Sequence, residues 1–239
     1  MKILAIDSSG LVASVAIVTE EECIAEYTVN YKKTHSQTLL PMLDAISAMI
    51  DLDGSSIDAI AVAKGPGSFT GLRIGSATAK GLAAAWKKPI IPIPTVDALA
   101  YNCYGSDKLI CPLMDARRSQ TYTGLYKFVG RNDTYDMDVI VPQTVVDIEQ
   151  IANDINVRGE EVIFLGDGVP VFAEKLQEIM RVPYSFAPPS CNRQRAALVG
   201  TLGISYYKQG CMEKPEEHAP EYLRLSQAER ERKEAEEGK

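Results

Sequence analysis

A glycine-rich corner contains the residue types and spacing in this chain that most clearly indicate a binding function. Residues 65–75 read GPGSFTGLRIG and lie between an apolar run at 57–63 and a stretch with helical spacing at 72–86. Gly65 and Gly67 can adopt backbone angles that are closed to other residues. The first N–H groups of a helix lack partners inside that helix. Such a corner can therefore hold a phosphate or another anion.

The corner also has a purely structural interpretation. It has no Gly-Lys-Ser or Gly-Lys-Thr ending, so it is not a Walker loop, and its glycines do not follow the dinucleotide-binding spacing. Chemistry alone favours a tight turn. A weak nucleotide or anion site at Gly65 and Gly67 is the alternative.

A carboxylate at the end of the first apolar run is a second candidate. Asp7 follows residues 2–6 and precedes Ser8 and Ser9. A carboxylate beside small hydroxyl groups suits a hydrated magnesium ion that carries a phosphate. The same carboxylate can instead accept hydrogen bonds from the turn that it starts. Both interpretations stay open, with Asp7 and Ser8 as candidate nucleotide-binding residues.

Two further polar groups have weaker claims to a functional role. Asp115-Ala116-Arg117-Arg118 joins two predicted strands, and an arginine there could reach a phosphate or carboxylate in a forked contact. An exposed turn with surface ion pairs is the simpler interpretation. His35 stands at the start of a predicted helix, where we interpret it as a polar residue that supports the helix start rather than as a ligand.

The composition and charge exclude several classes of protein. The chain has 239 residues, of which 46% are hydrophobic and 24% charged, as in soluble globular proteins. A net charge of −7 argues against direct binding of nucleic acid, since phosphate contacts need a basic surface. The five cysteines form no C-x-x-C pair, and only two histidines occur. We expect a cytoplasmic protein with reduced thiols, no export signal and no membrane span.

The order of the predicted elements repeats along the chain. The first half is predicted to contain strands at 2–6, 11–19 and 23–30, a helix at 36–50, a strand at 57–63, a helix at 72–86 and a strand at 90–93. The second half restarts this order with strands at 109–114, 119–128 and 135–141, a helix at 147–156, a strand at 162–165 and a helix at 171–181. This predicts two similar α/β lobes across a cleft, with Asp7 and Asp115 at equivalent strand ends.

The repeat sets the expected domain organisation. Residues 1–100 form a first lobe, and residues 101–225 form a second lobe that a last helix at 191–209 closes. The charged stretch at 226–239 has no apolar stripe and is expected to be disordered.

Taken as a string, GPGSFTGLRIG resembles the signature of the TsaB family, also called YeaZ, bacterial relatives of the threonylcarbamoyl transferase TsaD. Similar segments follow in the expected order over about residues 1–225: ILAIDSS at 3–9, THSQ at 34–37, DARR at 115–118, GDG at 166–168 and PEYLR at 220–224. The resemblance implies two ribonuclease-H-like lobes in the actin-like ATPase (ASKHA) arrangement.

The resemblance also implies a role without catalysis by this chain. It would be a scaffold subunit that joins a TsaD-like paralogue and a TsaE-like ATPase in threonylcarbamoylating the adenosine beside the anticodon of tRNAs that read ANN codons. ATP or ADP and the metal are expected on the partner subunits, and tRNA contact only through the complex. This chain requires no cofactor in that interpretation.

The residues after the glycine-rich corner indicate whether this chain could bind the catalytic metal of TsaD. In TsaD, the corner and its helix are followed by an Asn-His-x-x-x-His element whose histidines bind the catalytic metal. Thr95 and Leu99 stand at those positions here. Leucine cannot coordinate a metal and threonine does so poorly. We therefore expect that the fold is kept, that the metal chemistry is lost, and that this chain has no catalytic residue.

The two helices of the first lobe are the expected interaction surface. The helix at 36–50 carries more apolar residues than one buried stripe needs, and the helix at 72–86 is rich in small residues. Tight packing on the lobe's own sheet is the alternative. The family's use of these helices for pairing favours an interface, in a homodimer when the chain is alone and in a heterodimer with a TsaD-like paralogue. The candidate interface residues are Leu39, Leu40, Met42, Leu43, Arg73, Ala77 and Lys80.

Two other functions remain open on the sequence. A small-molecule kinase of the actin-like superfamily would need a general base and a glycine-rich adenosine loop, of which Gly166-Asp167-Gly168 is at most a fragment. A metallopeptidase-like (glycoprotease) relative would need the missing histidine pair.

Overall fold

The first sheet is a three-strand antiparallel meander that two parallel strands extend at one edge. The computed structural model describes residues 1–31 and 33–224, so the predicted disordered tail lies outside the described residues. The elements of the first lobe are β1 (Lys2–Asp7), β2 (Ala13–Thr19), β3 (Cys23–Val29), α1 (His35–Met49), β4 (Ala59–Gly65), α2 (Phe69–Trp86) and β5 (Ile90–Pro94). Their strand order is β3-β2-β1-β4-β5, with β4 parallel to β1 and β5 parallel to β4.

Apolar residues cover both faces of this sheet. Leu4 and Ile6 of β1 lie in one cluster with residues of α1 and α2, whereas Ile3 and Ala5 lie in a second cluster on the other face. Because alternate residues of a strand point to opposite faces, a continuous apolar run such as β1 fits a strand that is covered on both sides.

The second sheet repeats the topology of the first. Its elements are β6 (Leu109–Asp115), β7 (Gln120–Arg131), β8 (Thr134–Asp147), α4 (Ile148–Arg158), β9 (Val162–Leu165), α5 (Val169–Ile179) and β10 (Tyr184–Phe186). The strand order is β8-β7-β6-β9-β10, which matches the order β3-β2-β1-β4-β5 of the first sheet strand for strand. The predicted fold class and the predicted repeat of element order are confirmed. The short strand β10 was not among the predicted elements.

Two helices each pack on the sheet of the other lobe. The position of one of them differs from the predicted organisation. The last helix, α6 (Ala196–Lys208), does not close the second lobe but covers the free face of the first sheet. Glycine permits this close approach: a Cβ on Gly200 or Gly203 would lie less than 3.0 Å from Val18 or Ala61. The short helix α3 (Thr95–Ala100) packs instead on the second sheet, through Val96 and Leu99. Each lobe is thus completed by the other half of the chain.

In the described part of the chain, no helix is both long enough and apolar enough to cross a membrane.

Candidate functional site

A cleft of about 470 Å³ lies where the two lobes meet. The first lobe contributes the turn after β1, including Ser9, and the start of α2, including Ser68. The second lobe contributes the residues after β6 and β9, including Asp115 and Asp167. The topological repeat therefore brings together the two strand ends that the sequence predicted to be equivalent.

Asp7 is buried behind its own turn. Its Oδ1 accepts hydrogen bonds from the backbone N–H of Ser9 at 2.9 Å and from the Ser9 hydroxyl at 2.6 Å. Burial raises the pKa of Asp7, and the bonds from Ser9 oppose that rise. The Ser8 hydroxyl donates to the carbonyl oxygen of Gly71 at 2.8 Å. These contacts match the interpretation in which Asp7 and Ser8 hold the turn.

The glycines of the corner accommodate the backbone of this chain. A Cβ on Gly67 would lie less than 3.0 Å from the carbonyl oxygen of Ser9, and one on Gly65 equally close to that of Glu221. The N–H of Ser68, at the start of α2, already donates to the carbonyl oxygen of Ser9 at 2.6 Å. Carbonyl oxygens that line a corner do not attract anions. A nucleotide or anion site at Asp7, Ser8, Gly65 and Gly67 stays a prediction.

The arginine loop of the second lobe is engaged with its neighbours. Arg117 makes an ion pair with Asp115 at 3.0 Å, and its backbone N–H donates to the same carboxylate at 2.8 Å. Arg117, Arg118 and Ser119 have φ values of 65°, 56° and 61°, which is left-handed backbone at three consecutive non-glycine residues. Such backbone is uncommon and costs conformational energy. The loop is an exposed, strained turn beside the cleft.

Asp167 lies beside the same loop, and burial raises its pKa. Its Oδ1 accepts a long hydrogen bond, 3.4 Å, from the backbone N–H of Asp115. The cleft is lined by two carboxylates and by Arg117, which is paired with Asp115, while the charge of nearby Arg193 opposes the rise in the pKa of Asp167.

His35 is buried at the floor of the cleft and does more than support a helix start. Its Nε2 is 2.9 Å from the carbonyl oxygen of Gly10, and its Nδ1 finds no hydrogen-bond partner among the described residues. Gln194 is also buried near Gly10 and its amide is likewise unpartnered within residues 1–31 and 33–224. Nothing in the sequence pattern around Gln194 predicted this position, because the contact joins residues distant along the chain.

Thr95 and Leu99, at the positions where the resemblance places the metal-binding histidines of TsaD, do not fit a metal. Leu99 lies in an apolar cluster with Val96 and Tyr126, and Thr95 is fully buried. The nearby carboxylate of Asp97 accepts a hydrogen bond from the Tyr126 hydroxyl at 2.7 Å. No group of three or more His, Cys, Asp or Glu side chains could hold a metal ion within the described ranges. A leucine and a threonine supply no ligand pair.

The structure corrects three of the candidate interface residues. Leu39, Met42 and Leu43 of α1 are buried in the core against the first sheet, so they cannot contact another protein. The large apolar residues that α1 exposes are Leu40, at 54%, and Met49, at 82%. The apolar surplus on α1 is therefore real but smaller than its composition indicated, because Met42 belongs to the buried face.

The outward face of α2 consists of small residues bordered by cations. Arg73, Ala77, Gly81 and Ala84 are exposed and lie three or four residues apart, on one side of the helix. Lys80 is half-buried and donates to the carbonyl oxygen of His218 at 3.0 Å. We call this outward face of α2, together with the exposed Leu40 of α1, the partner face; Met49 is nine residues from Leu40 and lies on the opposite side of α1.

Known proteins and a family model are similar to this chain over most of its length. The family model of TsaD, tRNA N6-adenosine threonylcarbamoyltransferase, matches residues 22–232. The tRNA threonylcarbamoyladenosine biosynthesis protein TsaB of Bacillus subtilis is 32% identical over 231 residues, 96% of each chain. The TsaB protein of Haemophilus influenzae is 35% identical over 127 residues, 51% of this chain and 52% of that one.

A solved structure covers nearly the same length. YeaZ from Pseudomonas aeruginosa superposes with a TM-score of 0.77 at 25% identity, over 93% of this chain and 99% of that chain. The chain belongs to the family of the tRNA N6-adenosine threonylcarbamoyltransferase model and, within it, to the TsaB (YeaZ) group.

Proposed function

We propose that this chain is a non-catalytic subunit in the biosynthesis of threonylcarbamoyladenosine in tRNA, at the adenosine beside the anticodon of tRNAs that read ANN codons. Its partner is a TsaD-like paralogue, which carries the metal and the acyl donor, and a TsaE-like ATPase joins the pair. The observation that carries this proposal is that Thr95 is buried and Leu99 packs in an apolar cluster, on an otherwise complete family fold.

The partner face supports a role in protein–protein contact. Small exposed residues let another helix approach closely, and interfaces concentrate their binding energy in a few buried apolar contacts, of the kind that exposed Leu40 could make. The same face would pair two copies of the chain when the paralogue is absent, so that self-association and partner binding compete.

The net charge of the chain supports tRNA contact through the complex. A charge of −7 does not favour the phosphate contacts that direct tRNA binding needs. We propose a cytoplasmic protein that requires no cofactor of its own, with ATP or ADP bound by its partners.

Reconstitution of the modification tests this function. The TsaD-like paralogue, the TsaE-like ATPase, the acyl donor and tRNA are combined with or without this chain, and the modified nucleoside is measured by mass spectrometry. The product should depend on this chain and should persist with its Asp7→Asn and Asp115→Asn variants. Loss of product with an intact complex in either variant would show that this chain has an active site, against the proposal.

A further inference from the structure

The segment Pro220–Arg224 crosses from the first lobe to the second. The backbone N–H of Glu221 donates to the carbonyl oxygen of Lys64 at 2.7 Å, just before the glycine corner. The carboxylate of Glu221 pairs with the Lys64 ammonium at 2.9 Å and accepts a bond from Gln143 of β8 at 3.4 Å. At the end of the segment, Arg224 Nη1 donates to the carbonyl oxygens of Ala116 and Arg117 in the second lobe. One short segment thus holds both sides of the cleft.

The glycine corner is shaped to receive this segment. Gly65 has a φ of 126°, and a Cβ there would lie less than 3.0 Å from the carbonyl oxygen of Glu221. Any other residue would be strained at this φ and would push the segment away. The glycine that the sequence offered as an anion ligand instead admits the chain's own backbone.

The segment also reaches the partner face. The ring of Tyr222 packs on Phe69, with 4.6 Å between the centroids. The Arg73 guanidinium lies 3.9 Å from the centre of the Phe69 ring, and its Nε donates to the Tyr222 hydroxyl at 3.2 Å. Arg73 is exposed on α2 in line with Ala77. A partner that covers this face would therefore order a side chain that holds Tyr222.

The far end of the segment acts on the strained loop. Three consecutive residues, 117–119, have left-handed backbone. Arg224 donates hydrogen bonds to the carbonyl oxygens of Arg117, the first of these residues, and of Ala116, the residue before it. Charge-assisted bonds from a guanidinium are among the stronger hydrogen bonds in proteins. Strained backbone persists where its surroundings hold it in place, so release of Arg224 would free the loop to relax.

We propose that Pro220–Arg224 is a latch that closes the two lobes and links the partner face, through Arg73, to the loop beside the cleft. Stabilisation of either end stabilises the other, because linkage between two sites is reciprocal. The latch is a property of the isolated chain, whereas its response to a partner rests on the proposed function.

Hydrogen exchange on the isolated full chain tests the latch at positions that each substitution does not touch. Arg73→Ala and Tyr222→Leu should speed exchange in residues 115–120 about tenfold, although neither side chain contacts that loop. Arg224→Ala should do the same in residues 64–70. Arg131→Gln, an exposed arginine paired with Asp136 on the β7–β8 hairpin, is the matched control and should change neither segment.

The outcomes separate the latch from the proposed function. Circular dichroism confirms that each variant is folded, and faster exchange at the remote segment supports the latch. Exchange that changes only next to each substituted residue, or not at all, would overturn it, because the contacts would then be independent. Because the measurement uses no partner, a failure of the TsaD-like paralogue to bind would leave this result standing and count only against the proposed function.

Discussion

At the scale of single residues, the glycine corner is explained by contacts within the chain. Gly65, Gly67 and Gly71 each face a backbone carbonyl oxygen, those of Glu221, Ser9 and Ser8 respectively, at a distance that excludes a Cβ. The turn after β1 therefore packs in direct backbone contact with the start of α2. A glycine-rich signature that reads like a phosphate loop can therefore arise from close backbone packing alone.

A matched pair of glycine substitutions tests this explanation. Gly67→Ala should destabilise the protein by about 1–3 kcal/mol, because its Cβ would force Ser9 or the start of α2 to move. Gly81→Ala on α2 should be neutral or stabilise by about 0.5–1 kcal/mol, because no atom lies within 4 Å of its Cβ and alanine favours helix. Denaturant unfolding measures both, and equal effects of the two substitutions would contradict the packing argument.

Asp97 is a second residue whose role the structure defines. Burial raises its pKa above the ordinary value of 3.8, while the hydrogen bond from Tyr126 and the charge of Lys64 oppose the rise. A carboxyl whose pKa is higher in the folded state binds its proton more tightly there. Its contribution to stability is then complete below the ordinary pKa and is lost as the pH rises through the folded value.

Replacement of this carboxyl should remove that loss. Asp97→Asn keeps an oxygen that accepts the Tyr126 hydroxyl bond but carries no charge at any pH. The free energy of unfolding of the variant, minus that of the wild type, should increase as the pH rises above about 4, by about 1.4 kcal/mol in total for each unit of the pKa shift. Urea unfolding at several pH values measures it, and a difference that does not vary with pH would contradict the assignment.

At the scale of elements, α1 shows what periodicity can and cannot predict. Leu39, Leu43 and Ile46 form one stripe by their spacing, and all three are buried, although Leu39 and Leu43 were predicted to lie at an interface. Met42 lies one position from that stripe, so its spacing fitted either face of the helix. Packing of α1 on the sheet makes the buried face wide enough to include it.

Two substitutions on α1 distinguish its faces. Met42→Glu should destabilise the protein by about 3 kcal/mol or more, because it places an unpaired charge in the core. Leu40→Glu should change the stability by no more than about 0.5 kcal/mol, because the side chain is already half in solvent. Thermal unfolding followed by circular dichroism checks both, and a mild effect at Met42 would show that its side chain can leave the core.

The placement of α6 and of β10 marks the limit of sequence prediction in this chain. The last helix was predicted to close the second lobe, but α6 covers the first sheet, since that choice depends on how Gly200 and Gly203 fit against Val18 and Ala61. The strand β10 has only three residues and carries little pattern. Local order and topology were predictable, because the element order repeats, whereas contacts between distant segments, such as Gln194 with Gly10 or Tyr222 with Phe69, were not.

At the scale of the whole molecule, the cleft lies between the two lobes, and its charges lead us to predict weak nucleotide binding. Asp115 and Asp167 line it, and the guanidinium of Arg117 is already paired with Asp115. We expect ATP to bind the isolated chain with a Kd no tighter than about 1 mM, with or without magnesium. Calorimetric titration measures this, and tight magnesium-dependent binding would instead favour a kinase.

The central claim is that the partner face binds a TsaD-like paralogue. Its most direct test is a titration of that paralogue with the wild-type chain and with Ala77→Trp and Leu40→Asp, which alter exposed residues of α2 and α1. Val157→Asp, at an 87% exposed residue of α4, is the control. The two partner-face variants should remain folded and bind about a hundredfold or more weakly, since bulk or unpaired charge in an interface core costs several kcal/mol. Affinity equal to that of the wild type in both folded variants would contradict the claim.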